Sequence, residues 1–474
     1  MTSLPFKINT DINANVVNTN LLNATDANIT NANIENLILN NIDLPVGGEY
    51  KIGGVHVLST PVQASSVAVG NTVPTGQGAG AVAVGLNAGL TNQSTQAVAI
   101  GQLSGNSDQS SGAVAIGFSS GQISQGASSV AIGDSAGENT QADLAVAIGA
   151  FSGQNNQGQN SVAIGNSAGS TDQAIGSVAL GLLAGQTNQG QIAVAIGSTA
   201  GNSGQGQGAV SVGHLAGSSS QGSGAVAIGD VAGQTSQSQN SVAIGSSAGT
   251  TTQGQNSIAV GFQSGNQGQG QTCVAVGPNS GFLNQSTLAV ALGSSAGQNN
   301  QGQGAVSIGP SAGQSNQGNF SVAIGIDAGT TTQGTNAVAI GNTAGQTSQG
   351  AGAIAIGRNT ATTSQPANTI AIGAETGIDG MSANNVLVGY NINGIGGNPV
   401  GDNNVALGSE INFAPGVTNC IVLGTDAAAT QTGQLVLGST TFPLTLSATA
   451  GGIDQYISVN INGNDRKIAT YFIA

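Results

Sequence analysis

The chain is short of the residues on which most globular enzymes depend. Among its 474 residues there is no Trp, aromatic residues make up 3% and charged residues 5%, whereas a typical soluble domain is about one quarter charged. Lys and Arg together number five, and none lies between Lys51 and Arg358. Because phosphate groups are neutralised by cations, we expect no nucleic-acid partner and no attraction to anionic lipid along this stretch.

Long apolar runs are also missing. No run of 18 or more apolar residues exists, so we expect no transmembrane helix and no membrane insertion. The first residues, MTSLPFKINTDINANVV, lack the apolar segment of a secretory signal. With only 10 Pro and no Gly at every third position, a collagen triple helix is excluded.

Glycine is abundant, at 78 residues, and it marks a repeat. We number each repeat from the glycine that ends the motif Val-Ala-Ile-Gly, which is position 0. This glycine recurs every 16 residues from Gly85, through Gly101 and Gly117, to Gly389, which makes twenty copies. Four further copies have altered spacing, at Gly70, Gly408, Gly424 and Gly438. The array therefore has 24 copies over residues 65–441.

Each repeat carries a short period-2 pattern. Val98 at −3 and Ile100 at −1 alternate with Ala at −4 and −2, and the other copies follow the same pattern with Ala or Ser. A second glycine stands at +4 in seventeen successive copies, and a Gln stands at +8 in eighteen, beginning with Gln93, Gln109 and Gln125. Alternation over so few residues predicts a β-strand with one bulky face and one small face.

Sixteen residues cannot bury an apolar face alone, so each repeat must stack on its neighbour. The sequence predicts an all-β protein, a parallel β-solenoid of 24 repeats, with the Gln side chains in a ladder of amide hydrogen bonds. At about 4.8 Å per coil the rod is roughly 110 Å long. We expect Val and Ile to fill the interior and the Ala/Ser face to pack on another copy. The alternative is a monomer whose Ala/Ser face meets water.

The repeated motif S-V-A-I-G-x-x-A-x-x-x-x-x-G resembles the head repeats of trimeric autotransporter adhesins, the YadA type. The resemblance covers about 375 residues and implies a left-handed β-roll and a homotrimer. The family repeat is usually nearer 14 residues, whereas this one has 16 and a Gln at +8. The family's coiled-coil stalk and membrane-anchor segment are not found in this sequence.

The two ends differ from the array. Residues 1–45 are Asn-rich and are interpreted as an attachment or shaft segment, or alternatively as a tail that orders on a partner. Residues 46–64 contain a Gly-Gly hairpin and form a linker, which is similar to linkers of phage and large-virus fibres. Residues 442–474 carry Asn462-Gly463 between two alternating runs, which predicts a hairpin that caps the solenoid.

Few residues suggest chemistry. His56 and His214 are isolated, and Cys273 and Cys420 lie about nine coils apart, too far for a disulfide within one chain; in an oligomer each Cys would have to meet its own symmetry copies. No metal site, cofactor or enzyme activity is expected, because no base accompanies the many hydroxyls. The carboxylates share no single repeat position: Asp108, Asp134, Glu138, Asp143, Asp172, Asp230 and Asp327.

The sequence therefore favours a non-enzymatic structural fibre on a virion surface or in an extracellular setting. Residues 1–45 would bind the virion or another surface anchor, and the array would bind a host-surface receptor. One alternative is a microbial adhesin or filament subunit that assembles end to end. A weaker alternative is an ice-binding solenoid, because position +6 holds eight Thr among eighteen copies.

Overall fold

The structure is a computed structural model and describes residues 49–52, 55–59, 66–70, 75–443, 456–461 and 464–469. These residues form an all-β parallel solenoid of about 23 turns, most of them 16 residues long, with a single turn of 3-10 helix at Ile395–Gly397. The predicted fold class is confirmed. The predicted attachment segment, residues 1–45, lies outside the described residues.

One continuous sheet contains the Val-Ala-Ile strand of every repeat, and we call it the valine sheet. Its neighbouring strands are parallel and pair in strict register, so that Val98 lies beside Val114 and Ile100 beside Ile116. Its 24 strands are Val67–Val69, Val82–Val84, Val98–Ile100, Val114–Ile116, Val130–Ile132, Val146–Ile148, Val162–Ile164, Val178–Leu180, Val194–Ile196, Val210–Val212, Val226–Ile228, Val242–Ile244, Ile258–Val260, Val274–Val276, Val290–Leu292, Val306–Ile308, Val322–Ile324, Val338–Ile340, Ile354–Ile356, Ile370–Ile372, Val386–Tyr390, Val405–Ser409, Ile421–Thr425 and Leu435–Leu437.

The second side of each coil is a strand that ends on the repeated Gln, and these strands form the glutamine sheet. They also pair in parallel, with isolated bridges through Ser219 that join the two halves. The strands are Ser107–Gln109, Ile123–Gln125, Asn139–Gln141, Asn155–Gln157, Thr171–Gln173, Thr187–Gln189, Ser203–Gln205, Thr235–Gln237, Thr251–Gln253, Gln267–Gln269, Leu283–Gln285, Asn299–Gln301, Ser315–Gln317, Thr331–Gln333 and Thr347–Gln349.

The glycine at position 0 is required by both backbone conformation and space. Gly245 has φ +124°, and a Cβ at this position would lie 2.6 Å from the carbonyl oxygen of Gly261 in the next coil. Real Cβ atoms do not approach an oxygen so closely, and L-residues rarely adopt this φ. The repeat period is therefore fixed by a glycine at which successive backbones come into contact.

The last coils are built differently. The valine-sheet strands lengthen to five residues at Val386–Tyr390, Val405–Ser409 and Ile421–Thr425, and a small third sheet faces them. Large apolar side chains, among them Leu387 and Phe413, are fully buried there, in place of the Gln ladder. The third sheet consists of Asn393–Gly394, Asn412–Phe413 and Ala428–Ala429.

Two antiparallel hairpins flank the array. Glu49–Ile52 pairs with Val55–Ser59, and Ser59 then pairs antiparallel with Ala68, so this hairpin continues the valine sheet beyond its first solenoid strand. Tyr456–Ile461 pairs with Asn464–Ala469 across the predicted Asn-Gly turn. No ladder joins the second hairpin to the array within the described part of the chain, so its capping role stays a prediction.

Candidate interaction surface

The orientation of the valine sheet is opposite to the one expected from the sequence. Ala99 is fully buried inside the coil, whereas Val98 is half-buried and Ile100 is 38% exposed. The same pattern recurs along the array, with the central Ala buried and the flanking Val and Ile turned outward. The expectation that Val and Ile fill the interior was wrong, and so was the expectation of an outward Ala/Ser face.

The reason for this orientation is the width of the coil. Gln109 lies fully buried between the two sheets, and a Cβ added at Gly105 would lie 2.6 Å from its Oε1 and 3.1 Å from the Cβ of Ala99. Since protein interiors are close-packed, no space remains for a branched side chain opposite the Gln. Only Ala or Ser fits inward, and the bulky residues of each strand must face outward.

The predicted Gln ladder is present inside the coil. Gln93 Nε2 donates to Gln109 Oε1 at 3.0 Å and to the carbonyl oxygen of Val82 at 2.9 Å. Gln109 Nε2 repeats both contacts one coil further on, with Gln125 and Val98. Each amide therefore links its own coil to the next and binds the valine sheet, which satisfies polar groups that burial would otherwise make costly.

The ladder is interrupted at defined coils. The Oε1 atoms of Gln77, Gln173 and Gln269 are buried and accept no hydrogen bond from a described residue. At two other coils a Ser replaces the central Ala and enters the ladder: Ser211 Oγ donates to Gln221 Oε1, and Ser307 Oγ donates to Gln317 Oε1. The array is therefore divided into ladder segments.

The outward face of the valine sheet is a continuous apolar stripe. In all 24 strands the residues on both sides of the central position are Val, Ile or Leu, which gives 48 outward side chains without one polar residue. With 23 steps of about 4.8 Å and a width of about 10 Å, the stripe covers on the order of 1,000 Å². Monomeric proteins rarely expose an apolar patch of more than a few hundred Å², and larger ones mark interaction sites.

The outward face of the glutamine sheet is polar instead. Its first row, at +6, contains the Thr residues that suggested ice binding, and several of their hydroxyls donate to the neighbouring coil, as Thr347 Oγ1 does to the carbonyl oxygen of Thr362 at 2.9 Å. The second row forms side-chain ladders, for example from Asn284 through Asn300 to Asn316. The Thr hydroxyls therefore bind backbone carbonyl oxygens and the Asn amides bind one another along the array. Ile123 and Leu283 interrupt the Thr row.

The titratable residues lie outside the stripe, and His214, Asp230 and Arg358 stand at position +1, next to it. His214 Nδ1 and Asp230 Oδ1 are 2.8 Å apart on two exposed side chains, and Arg358 binds Glu375 at 2.6 Å. Over residues 75–443 twelve carboxylates stand against one Arg, so this surface is acidic. Among the described residues no group of three or more His, Cys, Asp or Glu is placed to bind a metal ion. The side chain of His56 lies outside the described part.

Both cysteines point into the coil. Cys273 and Cys420 are free and fully buried at position −4, where other repeats have Ala or Ser. Burial raises the pKa of the Cys273 thiol, although hydrogen bonds to backbone groups act in the opposite direction. They substitute for small residues in the interior, and their thiols are not placed on a surface where symmetry copies would meet.

Sequence reasoning found the stripe residues but missed that they face outward. The sequence did contain a signal for the orientation, which is the Gln at +8 in eighteen successive copies. A Gln side chain that packs against the strand inside the coil leaves room for only a small residue at the centre of that strand. Within the described residues no helix is long and apolar enough to cross a bilayer. Neither protein-family models nor curated protein sequences gave a match to this chain, so the resemblance to YadA-type head repeats depends on the repeat residues alone.

Proposed function

We propose that the chain is a non-enzymatic structural fibre protein whose copies pack side by side on the apolar stripe of the valine sheet. The observation that supports this most is the unbroken row of 48 outward Val, Ile and Leu side chains. A partner that covers such a row must itself be long, straight and apolar. A second copy of the same chain has all three properties.

The energetic argument is that exposed apolar area favours association. At about 25 cal/mol per Å², a stripe on the order of 1,000 Å² supplies a gross driving force of about 25 kcal/mol, above the estimated 4–15 kcal/mol entropic cost of association. The stripe contains no charge, so assembly desolvates none there. The carboxylates are outside the apolar rows: Asp230 borders the stripe at +1 and Asp327 is at +2. Their negative charge favours solubility.

The number of copies comes from the resemblance, which implies three. The fibre is proposed to be used for attachment by a virion or phage, with residues 1–45 bound to the particle and the array exposed to a host-surface receptor. Support for this part comes from the sequence, since the hairpin at residues 46–64 is similar to linkers of viral fibres.

The stripe is tested by charged substitutions on one face with a matched control on the other. Ile228→Lys with Ile244→Lys introduces two cations into the stripe, where each Ile is 37–38% exposed. Thr235→Lys with Thr251→Lys makes the same change on the outward face of the glutamine sheet. We expect the first variant to be monomeric and the second to assemble as wild type, measured by light scattering. Equal assembly of the two variants would contradict the stripe as the interface.

Attachment is tested separately, because assembly and attachment are different claims. If the chain is a particle fibre, it copurifies with particles, and removal of residues 1–45 releases it from them without changing the number of copies in its assembly. Particles that retain the shortened chain would contradict the role of this segment.

A further inference from the structure

Two rows of residues border the apolar stripe. The leading row is position −5, two residues before the Val-Ala-Ile strand begins, and the trailing row is position +1, directly after the glycine at position 0. Both rows point into solvent: Leu144 and Phe320 of the leading row are 53% and 56% exposed, and Phe118 and Leu182 of the trailing row are each 50% exposed. Side chains that are so exposed have no partner inside their own coil that covers them.

The two rows are complementary in size at a subset of the strands. The leading row has eight glycines, and five of them share their strand with Leu, Phe, His or Arg in the trailing row: Gly80 with Leu86, Gly112 with Phe118, Gly176 with Leu182, Gly208 with His214, and Gly352 with Arg358. The other three, Gly224, Gly304 and Gly433, stand with Asp230, Pro310 and Ser439. The converse holds for three of the four large apolar leading residues: Leu144 goes with Ala150, Ile192 with Ser198, and Leu288 with Ser294. Two strands depart from the rule: two large residues meet at Phe320 and Ile326, and two small ones at Gly433 and Ser439.

Packing within the chain leaves room for a side chain at some leading-row glycines, whereas a Cβ at Gly224, Gly304 or Gly352 would lie 2.8–2.9 Å from a side-chain atom of the next coil. A Cβ at Gly208 would meet no atom within 4 Å, and one at Gly112 would lie 3.6 Å from Ser128 Oγ. Larger residues occupy the same backbone conformation elsewhere in the row, as Leu144 does at φ 60° and Leu288 at φ 66°. The left-handed φ of this row favours glycine by itself, and the leucines show that the coil nevertheless accepts a large residue there. The backbone does not explain which strands carry the glycines and which carry the leucines.

The complementarity cannot arise within one coil. The two rows stand at the two corners that flank the three-residue strand, which alone spans roughly 10 Å at 3.3 Å per residue, so the strand separates their side chains. A match shifted by one coil fails, because it would set Leu182 against Ile192 and Pro310 against Phe320. Large residues fall opposite small ones only when the leading and trailing residues of the same repeat are compared.

We infer that neighbouring copies of the chain stand parallel and level with one another, with the trailing row of one copy against the leading row of the next, and that the fit of large residues into glycine positions sets their axial register. This inference rests on the proposed self-association. The stripe alone cannot set the register, because a slip by one coil changes only one of its 24 strand contacts. The border rows are irregular along the array, so each slip brings large side chains into collision.

The test exchanges the large and the small residue between the leading and trailing rows of one repeat, in the full chain. Gly112→Leu fills the position opposite Phe118, and Phe118→Ser then recreates the Leu-with-Ser combination of residues 288 and 294. The matched control combines Gly112→Leu with Phe262→Ser, which removes a Phe from the same row at a different level. The dissociation constant of the assembly is measured by sedimentation, and far-ultraviolet circular dichroism verifies the fold.

We expect Gly112→Leu to raise the dissociation constant about tenfold or more, as overpacking of an interface does. Phe118→Ser should restore the wild-type value, whereas Phe262→Ser should not. If Gly112→Leu fails to fold, Gly208→Leu with and without His214→Ser replaces it, because the surroundings of Gly208 are open.

Two results would overturn the inference: an unchanged dissociation constant in the single variant, or equal rescue by both second substitutions. In either case wild-type assembly would leave the proposed function intact. A wild-type chain that stays monomeric would instead remove the proposed function, and this inference with it.

Discussion

The Gln ladder allows its energetic contribution to be measured by comparing two substitutions. Gln109 donates to Val98 O at 2.8 Å and to Gln125 Oε1 at 3.0 Å, and it accepts from Gln93 at 3.0 Å. Gln253 makes two equivalent contacts, to Val242 O at 2.7 Å and from Gln237 at 3.1 Å. It lacks the third, because Gln269 Oε1 accepts no hydrogen bond.

Gln109→Ala and Gln253→Ala therefore remove the same atoms from the same kind of interior but differ in one consequence. Both create a cavity and leave a strand carbonyl without its amide donor, at a shared cost of about 2–5 kcal/mol. Gln109→Ala also leaves the buried Gln125 Oε1 without a donor. That extra loss is about 1–3 kcal/mol.

Native-state hydrogen exchange is the suitable assay, because repeat arrays open locally and a single unfolding free energy is poorly defined for them. The exchange rates of backbone amide hydrogens are measured in the coil that follows the substituted Gln along the array. They are compared with the rates of the same amides in the wild type. We expect the acceleration to be roughly 5- to 150-fold greater for Gln109→Ala than for Gln253→Ala. Equal acceleration would show that the amide-to-amide bond contributes nothing, and no acceleration in either variant would show that the Gln side chains meet water.

Three further predictions concern glycines and thiols. Gly245→Ala should prevent normal stacking of its coil, because its Cβ meets Gly261 O at 2.6 Å, whereas Gly208→Ala should cost only about 1 kcal/mol; similar melting curves would contradict this. Ala361 has φ 46° at the +4 position, which is glycine in seventeen earlier copies. Ala361→Gly should therefore raise the free energy of unfolding by about 0.5–1 kcal/mol, because it relieves this backbone strain. A lower midpoint of denaturant unfolding in the variant would refute the strain. Cys273 and Cys420 should react with a maleimide only after unfolding, and rapid labelling of the native protein would contradict their burial.

The period and the ladder could be predicted because both are repeated in the sequence. A glycine every 16 residues specifies one coil per repeat, and a Gln at one repeat position must lie in a row when coils stack in register. The structure confirms both, with Val98 beside Val114 and Gln93 bonded to Gln109. Repetition makes a local pattern informative about long-range contacts.

The direction of the valine sheet could not be read from alternation, because period 2 separates two faces without saying which is inside. Which face lies inside depends on the space that Gln109 and Gly105 leave on the opposite side of the coil. That space is a property of the packed coil, and the alternation of residues along one strand does not reveal it. The usual rule that large apolar residues are buried therefore gave the wrong face. The late coils were also unforeseen, where Leu387 and Phe413 replace the amide ladder as the filling.

The central claim is that the stripe of the valine sheet is covered by further copies of the chain. The most direct measurement is the mass of the full-length protein in dilute solution, by sedimentation equilibrium over a range of concentrations. We predict a discrete particle of three times 45.6 kDa that persists on dilution. A stable particle of 45.6 kDa at all concentrations would contradict the claim.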